Sequence, residues 1–221
     1  MRIMMNPLCR AGFGCRSVLT AVLAGVFLVM VSPLPAISGP TTPKLLVEQF
    51  HDTLLGVMKD AKKLGYQGRM TALTPEIARA FHLPVMTRIV AGRHWKKFSR
   101  PQKLALVDAF SRMTTATYAH RFKGYGGERF LMVKAVDVRK KAVMIKTELV
   151  KTDGSAVKLD YLVKRFKKGW RVVDIYLDGA FSELATRRSE YSSVLGRKGL
   201  DALIGQINKK VAQYAAEDKP R

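Results

Sequence analysis

Apolar side chains along residues 43–65 recur every three to four positions, beginning at Leu46. This spacing places them on one face and predicts an amphipathic helix over that range. A short second helix is predicted to follow, with Thr74 as its N-cap and Pro75 at its first position. Another helix is predicted over residues 85–95. The first part of the folded chain is therefore predicted to be helical.

A longer helix is predicted over residues 99–122. Ser99 and Gln102 have the spacing of a capping box, which marks its start. Three glycines shortly after residue 122 mark its end. Its apolar stripe contains Leu106, Phe110, Met113-Thr114 and Thr117-Tyr118.

After residue 128 the apolar spacing changes from about 3.6 residues to 2, which predicts strands. Four strands are expected, at residues 129–138, 142–151, 156–166 and 170–178. Short turns join them, so neighbouring strands should be antiparallel and form a meander. Alternation gives this sheet one apolar face, formed by Val143, Ile145, Thr147 and Leu149 in the second strand and by Val157, Leu159, Tyr161 and Val163 in the third.

Two closing helices are predicted over residues 181–195 and 200–214, before a polar tail at 217–221. Helices followed by an antiparallel sheet and further helices indicate one α+β domain over residues 39–216, in which helices cover one sheet face. A curved sheet under those helices would leave a cavity, giving an NTF2-like shape.

The first 38 residues have the pattern of a secretory signal peptide. Three arginines precede an uncharged apolar stretch over residues 17–31, and prolines and small residues follow it. The stretch is shorter than the roughly 20 residues of a spanning helix, so an uncleaved membrane anchor is the weaker alternative. Cleavage after Ser38 would remove Cys9 and Cys15, the only two cysteines. The mature protein would then have no thiol for redox chemistry or for binding a metal.

The chain is strongly basic, with a formal net charge of +22. In a cytosolic protein such a charge would point to nucleic acid. A secreted protein instead meets phospholipid head groups, lipopolysaccharide and acidic partner proteins. The charge therefore predicts contact with anionic membrane surfaces or acidic proteins and not with nucleic acid, although a solvated basic surface without a partner is an equal alternative.

Residues that could carry catalysis do not form a recognisable set. Ser182 lacks the Gly-x-Ser-x-Gly context of a nucleophile elbow. Asp160, Asp174 and Asp178 could supply paired carboxylates, but ion pairs with the abundant Lys and Arg are the simpler interpretation. The histidines lack metal-ligand spacing; they are His51, His82, His94 and His120. The sequence therefore predicts a protein that is not an enzyme and uses no metal or cofactor.

Several segments together resemble one family. They are Ala91-Gly92-Arg93-His94-Trp95, Thr117-Tyr118-Ala119, Leu159-Asp160-Tyr161, Trp170-Arg171-Val172-Val173-Asp174 and Arg187-Arg188-Ser189. In this order they resemble the MlaC family of periplasmic phospholipid-binding and toluene-tolerance proteins, over residues 43–207. Residues 118–130 are most similar to the HpnM branch, which is associated with hopanoid biosynthesis.

The resemblance implies a periplasmic carrier that holds the acyl chains of a phospholipid or a hopanoid in an internal pocket. It also implies two partners, an inner-membrane ABC transporter complex with an MCE-type subunit and an outer-membrane lipoprotein complex. Which of the two lipids is bound stays open.

Candidate pocket residues come from the sheet face and the long helix. They are Phe110, Met113, Tyr118, Val143, Ile145, Val157, Leu159, Tyr161 and Val163. Arg187 and Arg188 are head-group candidates because guanidinium binds phosphate bidentately, and a structural pairing with Asp174 or Asp178 is the alternative.

Two other functions remain open at this point. One is an NTF2-like enzyme on an apolar substrate, for which Asp160 and Tyr161 are the candidate pair. The other is an accessory protein of hopanoid metabolism with no ligand of its own, which a filled core would favour.

Overall fold

A computed structural model describes residues 42–139 and 141–218. The predicted signal peptide at residues 1–38 lies outside the described residues, as does most of the predicted polar tail. The helices before the sheet are α1 (Pro43–Lys59), α2 (Ala61–Ala80), α3 (Leu83–Ala91), a 3-10 helix (Gly92–Lys97) and α4 (Arg100–Arg121). The sheet and the last helix are β1 (Arg129–Arg139), β2 (Ala142–Val150), β3 (Ala156–Phe166), β4 (Gly169–Leu177), β5 (Phe181–Ser182) and α5 (Glu183–Glu217).

The sheet is an antiparallel meander in the order β1-β2-β3-β4-β5. The predicted α+β class and the four long strands are confirmed. The fifth strand is two residues long, too short for a period-2 pattern, and lies where the prediction began a helix. Ser182 ends this strand and caps α5, because the Ala185 N–H donates to its hydroxyl at 2.9 Å.

The predicted helix start at Thr74 is wrong. The Thr74 hydroxyl donates to the Met70 carbonyl at 2.8 Å, and Pro75 lies inside α2. The helix continues through the proline because Leu73 and Ile77, on either side of it, are completely buried. The first helix ends at Lys59, before its predicted end near residue 65.

The two predicted closing helices are two arms of α5. They meet at Gly199, whose φ of 81° lies in the left-handed region that glycine adopts without strain. Leu195 is buried in the first arm, and Leu203 and Ile207 are buried in the second. Both arms therefore contribute to the core.

A cluster of aromatic side chains joins α1 to the sheet. Phe50 meets Phe81, Tyr118 and Tyr161 edge to face, with ring centroids 5.1, 5.2 and 6.2 Å apart. Such pairs contribute about 0.5–1.5 kcal/mol each beyond their buried area. The cluster fixes the position of α1 over the apolar face of the sheet.

Arg69 connects three helices from inside the protein and is only 2% exposed. Its guanidinium donates to the Ala119 carbonyl at 2.9 Å and the Ala61 carbonyl at 3.1 Å, and pairs with Asp218 at 2.6 Å. A buried charge is tolerated when its donors are satisfied in this way. Across residues 42–139 and 141–218, no helix combines the length and the apolar character needed to cross a membrane.

Candidate functional site

A cavity of about 330 Å³ lies between α4, the first turn of α5 and the apolar face of the sheet. Its volume is within the range of roughly 300–1,000 Å³ that small-molecule sites occupy. The sheet contributes six side chains to its wall, Leu149, Val157, Leu159, Tyr161, Ile175 and Leu177. The helices contribute Met86, Phe110, Thr114, Thr117, Tyr118, Arg121, Phe122, Glu183, Leu184 and Arg187. The wall is apolar apart from a charged group at the α4–α5 end.

The structure brings part of the predicted pocket set together. The candidates that line the cavity are Phe110, Tyr118, Val157, Leu159, Tyr161 and Arg187. The candidates that are not among its lining residues are Met113, Val143, Ile145, Val163 and Arg188.

Whether a candidate on the sheet lines the cavity depends on its position along the strand. Val163 pairs with Val172 of β4, and Phe81, at the junction of α2 and α3, forms a bridge to Val172. Helix residues therefore fill this half of the apolar face, and Ile145 and Val163 are completely buried there. The other half, around Val157, lies under the C-terminal end of α4 and the N-terminal end of α5. The cavity occupies this half. The alternation of apolar and polar residues identifies the apolar face of the sheet. It does not show which half of that face the helices leave uncovered.

Met113 and Arg188 lie elsewhere. Met113 lines a separate groove along α5, together with Tyr191 and Leu203. The Arg188 guanidinium packs over Gly92, where an added Cβ would lie 3.3 Å from Arg188 Nε. Arg188 therefore holds the 3-10 helix against α5 and does not face the cavity.

Two threonines in the cavity wall, Thr114 and Thr117, belong to the predicted apolar stripe of the long helix but were not among the pocket candidates. The Thr114 hydroxyl donates to the Phe110 carbonyl at 2.9 Å, and the Thr117 hydroxyl donates to the Met113 carbonyl at 2.8 Å. Both hydroxyls are thus satisfied within α4. Leu149 was also missing from the pocket prediction, although the alternation had placed it on the correct face.

A neutral polar network borders the cavity on the side of α1. His51 is 3% exposed, its Nε2 lies 3.2 Å from the Tyr161 hydroxyl, and its ring stacks on Phe130 with centroids 3.9 Å apart. Burial lowers the pKa of His51 to about 3. Burial also raises the pKa of both Tyr161 and Tyr118.

At neutral pH all members of this network are uncharged. A general base works best with a pKa near the operating pH, which His51 does not have. The network satisfies buried polar groups beside an apolar cavity and is poorly suited to proton transfer.

Asp160 and Tyr161, the candidate pair of the enzyme hypothesis, are neighbours in β3 and point to opposite faces of the sheet. Asp160 forms an ion pair with Lys146 at 3.0 Å, and it lines a polar groove that the cavity does not share. Tyr161 lines the cavity. The two side chains therefore do not act on one substrate.

Asp174 anchors the start of α5. Its carboxylate accepts from the Ser182 hydroxyl at 2.6 Å, the Ile175 N–H at 2.8 Å and the Leu184 N–H at 3.2 Å. Burial raises the pKa of Asp174, and these hydrogen bonds oppose the rise. The expected ion pairing with Arg or Lys is replaced here by a hydroxyl and backbone donors, while Asp178 lies beside Asp160 in the polar groove.

Within the part of the chain that the structure describes, no three His, Cys, Asp or Glu side chains lie close enough together to hold a metal ion.

Comparison with known proteins finds one matching family model and several similar solved structures. The family model described as MlaC protein matches residues 48–209. A solved structure of the phospholipid-binding protein from Ralstonia solanacearum, in complex with a phospholipid, superposes with a TM-score of 0.70. It is 21% identical in sequence, and the match covers 79% of this chain and 99% of that one. At this identity the likeness shows a shared fold. The residues that the family model matches include every residue that lines the cavity.

Proposed function

This chain belongs to the MlaC family, a family of periplasmic proteins, and on that premise we propose that it is a lipid carrier whose cavity takes the acyl chains of a phospholipid. The observation that carries the proposal is the apolar cavity between the sheet, α4 and α5. The Ralstonia protein of the same fold, a phospholipid-binding protein, supports the choice of ligand.

The energetics of lipid transfer explain why an apolar cavity is sufficient. Each methylene exposed to water costs about 0.8 kcal/mol, so the some thirty methylenes of a two-chain lipid oppose unaided transfer by more than ~20 kcal/mol. A carrier replaces the bilayer with protein side chains such as Leu159 and Phe110. No covalent step is required, which agrees with the neutral His51–Tyr161 pair.

The volume of the cavity predicts a conformational change on loading. About 330 Å³ is at the lower end of the range for ligand sites, and a two-chain lipid is a large ligand. We expect the cavity to enlarge when both chains enter.

The basic charge supports a shuttle between membranes. The formal charge of +22 falls only to +19 when the three arginines of the predicted signal peptide are removed, and this charge favours encounter with anionic bilayers and with acidic docking surfaces. Within the proposal, the carrier exchanges lipid with an inner-membrane ABC transporter complex and an outer-membrane lipoprotein complex, the partners that family membership suggests.

The proposal is tested by native mass spectrometry and lipid extraction of protein purified from a bacterial periplasm. Wild type should carry intact lipid, and Leu159→Trp, which fills the cavity, should carry little. Val138→Trp is the matched control, because Val138 is 47% exposed on the edge strand β1. The extracted lipid also distinguishes a phospholipid from a hopanoid.

Lipid-free wild type across mild preparations would contradict the carrier hypothesis and favour an accessory protein. Equal lipid in wild type and in a folded Leu159→Trp variant would show that the cavity is not where the lipid binds.

A further inference from the structure

Three charged side chains line the otherwise apolar cavity, Arg121, Glu183 and Arg187. Arg121 ends α4, and Glu183 and Arg187 lie in the first two turns of α5. The exposed fraction of each side chain is 50% for Arg121, 24% for Glu183 and 20% for Arg187. The group therefore forms the border between the cavity and the solvent.

The two arginines share one carboxylate at long distance. The closest guanidinium nitrogen of Arg121 lies 4.0 Å from Glu183, and that of Arg187 lies 3.9 Å from it. A charge-assisted hydrogen bond between these groups is about 2.7–2.9 Å long. The carboxylate thus sits between the two guanidinium groups without a close bond to either.

The local potential at this border favours an additional anion. Arg121 and Arg187 are two cations and Glu183 is the one anion among the three charged side chains that line the cavity, while the Asp174 carboxylate already accepts from the Leu184 N–H at the N-terminus of α5. The start of α5 is held in place by Asp174, through Ser182 and the Leu184 N–H. The first turn of α5, which contains Glu183, is therefore fixed relative to β4.

We propose that Arg121 and Arg187 form a clamp for the phosphate of the bound lipid, and that Glu183 is the internal anion with which the phosphate competes. The proposal rests on the lipid-carrier function and assigns the chemistry of the head group. A phosphodiester offers oxygens in the fork geometry that guanidinium recognises, whereas Glu183 reaches neither arginine closely. Arg188, the other head-group candidate, is held over Gly92 instead.

The clamp predicts a preference that the apolar wall cannot produce. Lipids with identical chains should bind more tightly when they carry a phosphate. Hydrogen bonds to charged groups contribute enough for each arginine to be worth about tenfold in affinity. Removing the competing Glu183 carboxylate should act in the opposite direction and tighten the binding of a phosphate-bearing lipid.

The experiment compares two probes with the same short fluorescent chains, phosphatidylglycerol and diacylglycerol. Wild type should bind phosphatidylglycerol more tightly. Arg121→Gln and Arg187→Gln should each lose about tenfold for phosphatidylglycerol and keep their affinity for diacylglycerol. Glu183→Gln should gain affinity for phosphatidylglycerol alone, and Arg188→Gln, the matched control outside the cavity, should behave as wild type. Thermal unfolding verifies that each variant is folded.

Several outcomes would overturn the clamp while leaving the carrier function intact. They are equal affinity of wild type for the two probes, weaker phosphatidylglycerol binding by Glu183→Gln, or an equal loss in Arg188→Gln and Arg187→Gln. Binding of inorganic phosphate to lipid-free protein, lost in Arg187→Gln while phosphatidylglycerol binding is unchanged, would assign the site to free phosphate. Failure of wild type to bind either probe would instead refute the carrier function on which the clamp rests.

Discussion

Acidification is expected to destabilise the fold through His51, which is buried between Phe130 and Tyr161. Its pKa is lowered from 6.5 to about 3 by burial. Because the folded pKa lies below the unfolded one, the unfolded chain takes up the proton first. The contribution of neutral, buried His51 to the free energy of unfolding is complete above pH 6.5. It is lost as the pH falls toward 3.

The size of the loss follows from the two pKa values. At pH 4.5, two units below the ordinary pKa of 6.5, the unfolded imidazole is almost fully protonated while the folded one is neutral. One pKa unit corresponds to about 1.4 kcal/mol, so the loss of unfolding free energy between pH 7.5 and 4.5 is about 3 kcal/mol.

The assay is urea denaturation of wild type and His51→Gln at several pH values. Glutamine keeps a polar group near the Tyr161 hydroxyl but does not titrate. The other ionisable groups are the same in both proteins, so the difference between the two pH profiles isolates His51. Wild type should lose about 3 kcal/mol more than the variant between pH 7.5 and 4.5. Parallel profiles would show that His51 is not buried as a neutral group and would refute this reasoning.

Two further substitutions test the scaffold around the cavity. Arg69→Met removes the buried partner of Asp218 and should lower the free energy of unfolding by about 3–5 kcal/mol, measured by urea denaturation. A loss below about 1 kcal/mol would show that the ion pair does not stabilise the fold. Asp174→Asn weakens the hydrogen bonds that hold the start of α5. It should lower the free energy of unfolding by about 1–3 kcal/mol in the same assay and reduce lipid binding. Unchanged stability and unchanged binding would show that these hydrogen bonds are dispensable.

The fold was predictable where local spacing determines the structure. Alternation along β2 and β3 marked their apolar face, because a residue's face in a strand depends only on its position. The capping box at Ser99 and Gln102 was also predictable, since both of its hydrogen bonds lie within one turn and are present. Thr74 and Pro75 misled the prediction because the burial of α2 in the core overrode a local start signal.

The cavity was predictable only in part, because it depends on which elements meet across the sheet. Val163 and Val157 occupy equivalent positions in the alternation, yet helix residues cover the first and leave the second open. Arg121 carried no signal in the sequence, since it reaches the cavity only because α4 ends beside the start of α5. Arg187 and Arg188 are adjacent in sequence, but a helix directs neighbouring side chains about 100° apart, and Arg187 alone lines the cavity.

The central claim is that an acyl chain lies inside the cavity, and photo-crosslinking tests it most directly. The protein is loaded with a phosphatidylglycerol that has a photoreactive group at the end of one chain, and the complex is irradiated. Peptide mass spectrometry then identifies the residues to which the lipid is crosslinked. If an acyl chain fills the cavity, adducts should form on the inward-facing residues of β3 (Val157, Leu159 and Tyr161) and on Phe110 of α4, and they should be lost in Leu159→Trp. Adducts confined to exposed apolar residues of β1, such as Val133 and Val138, would contradict it.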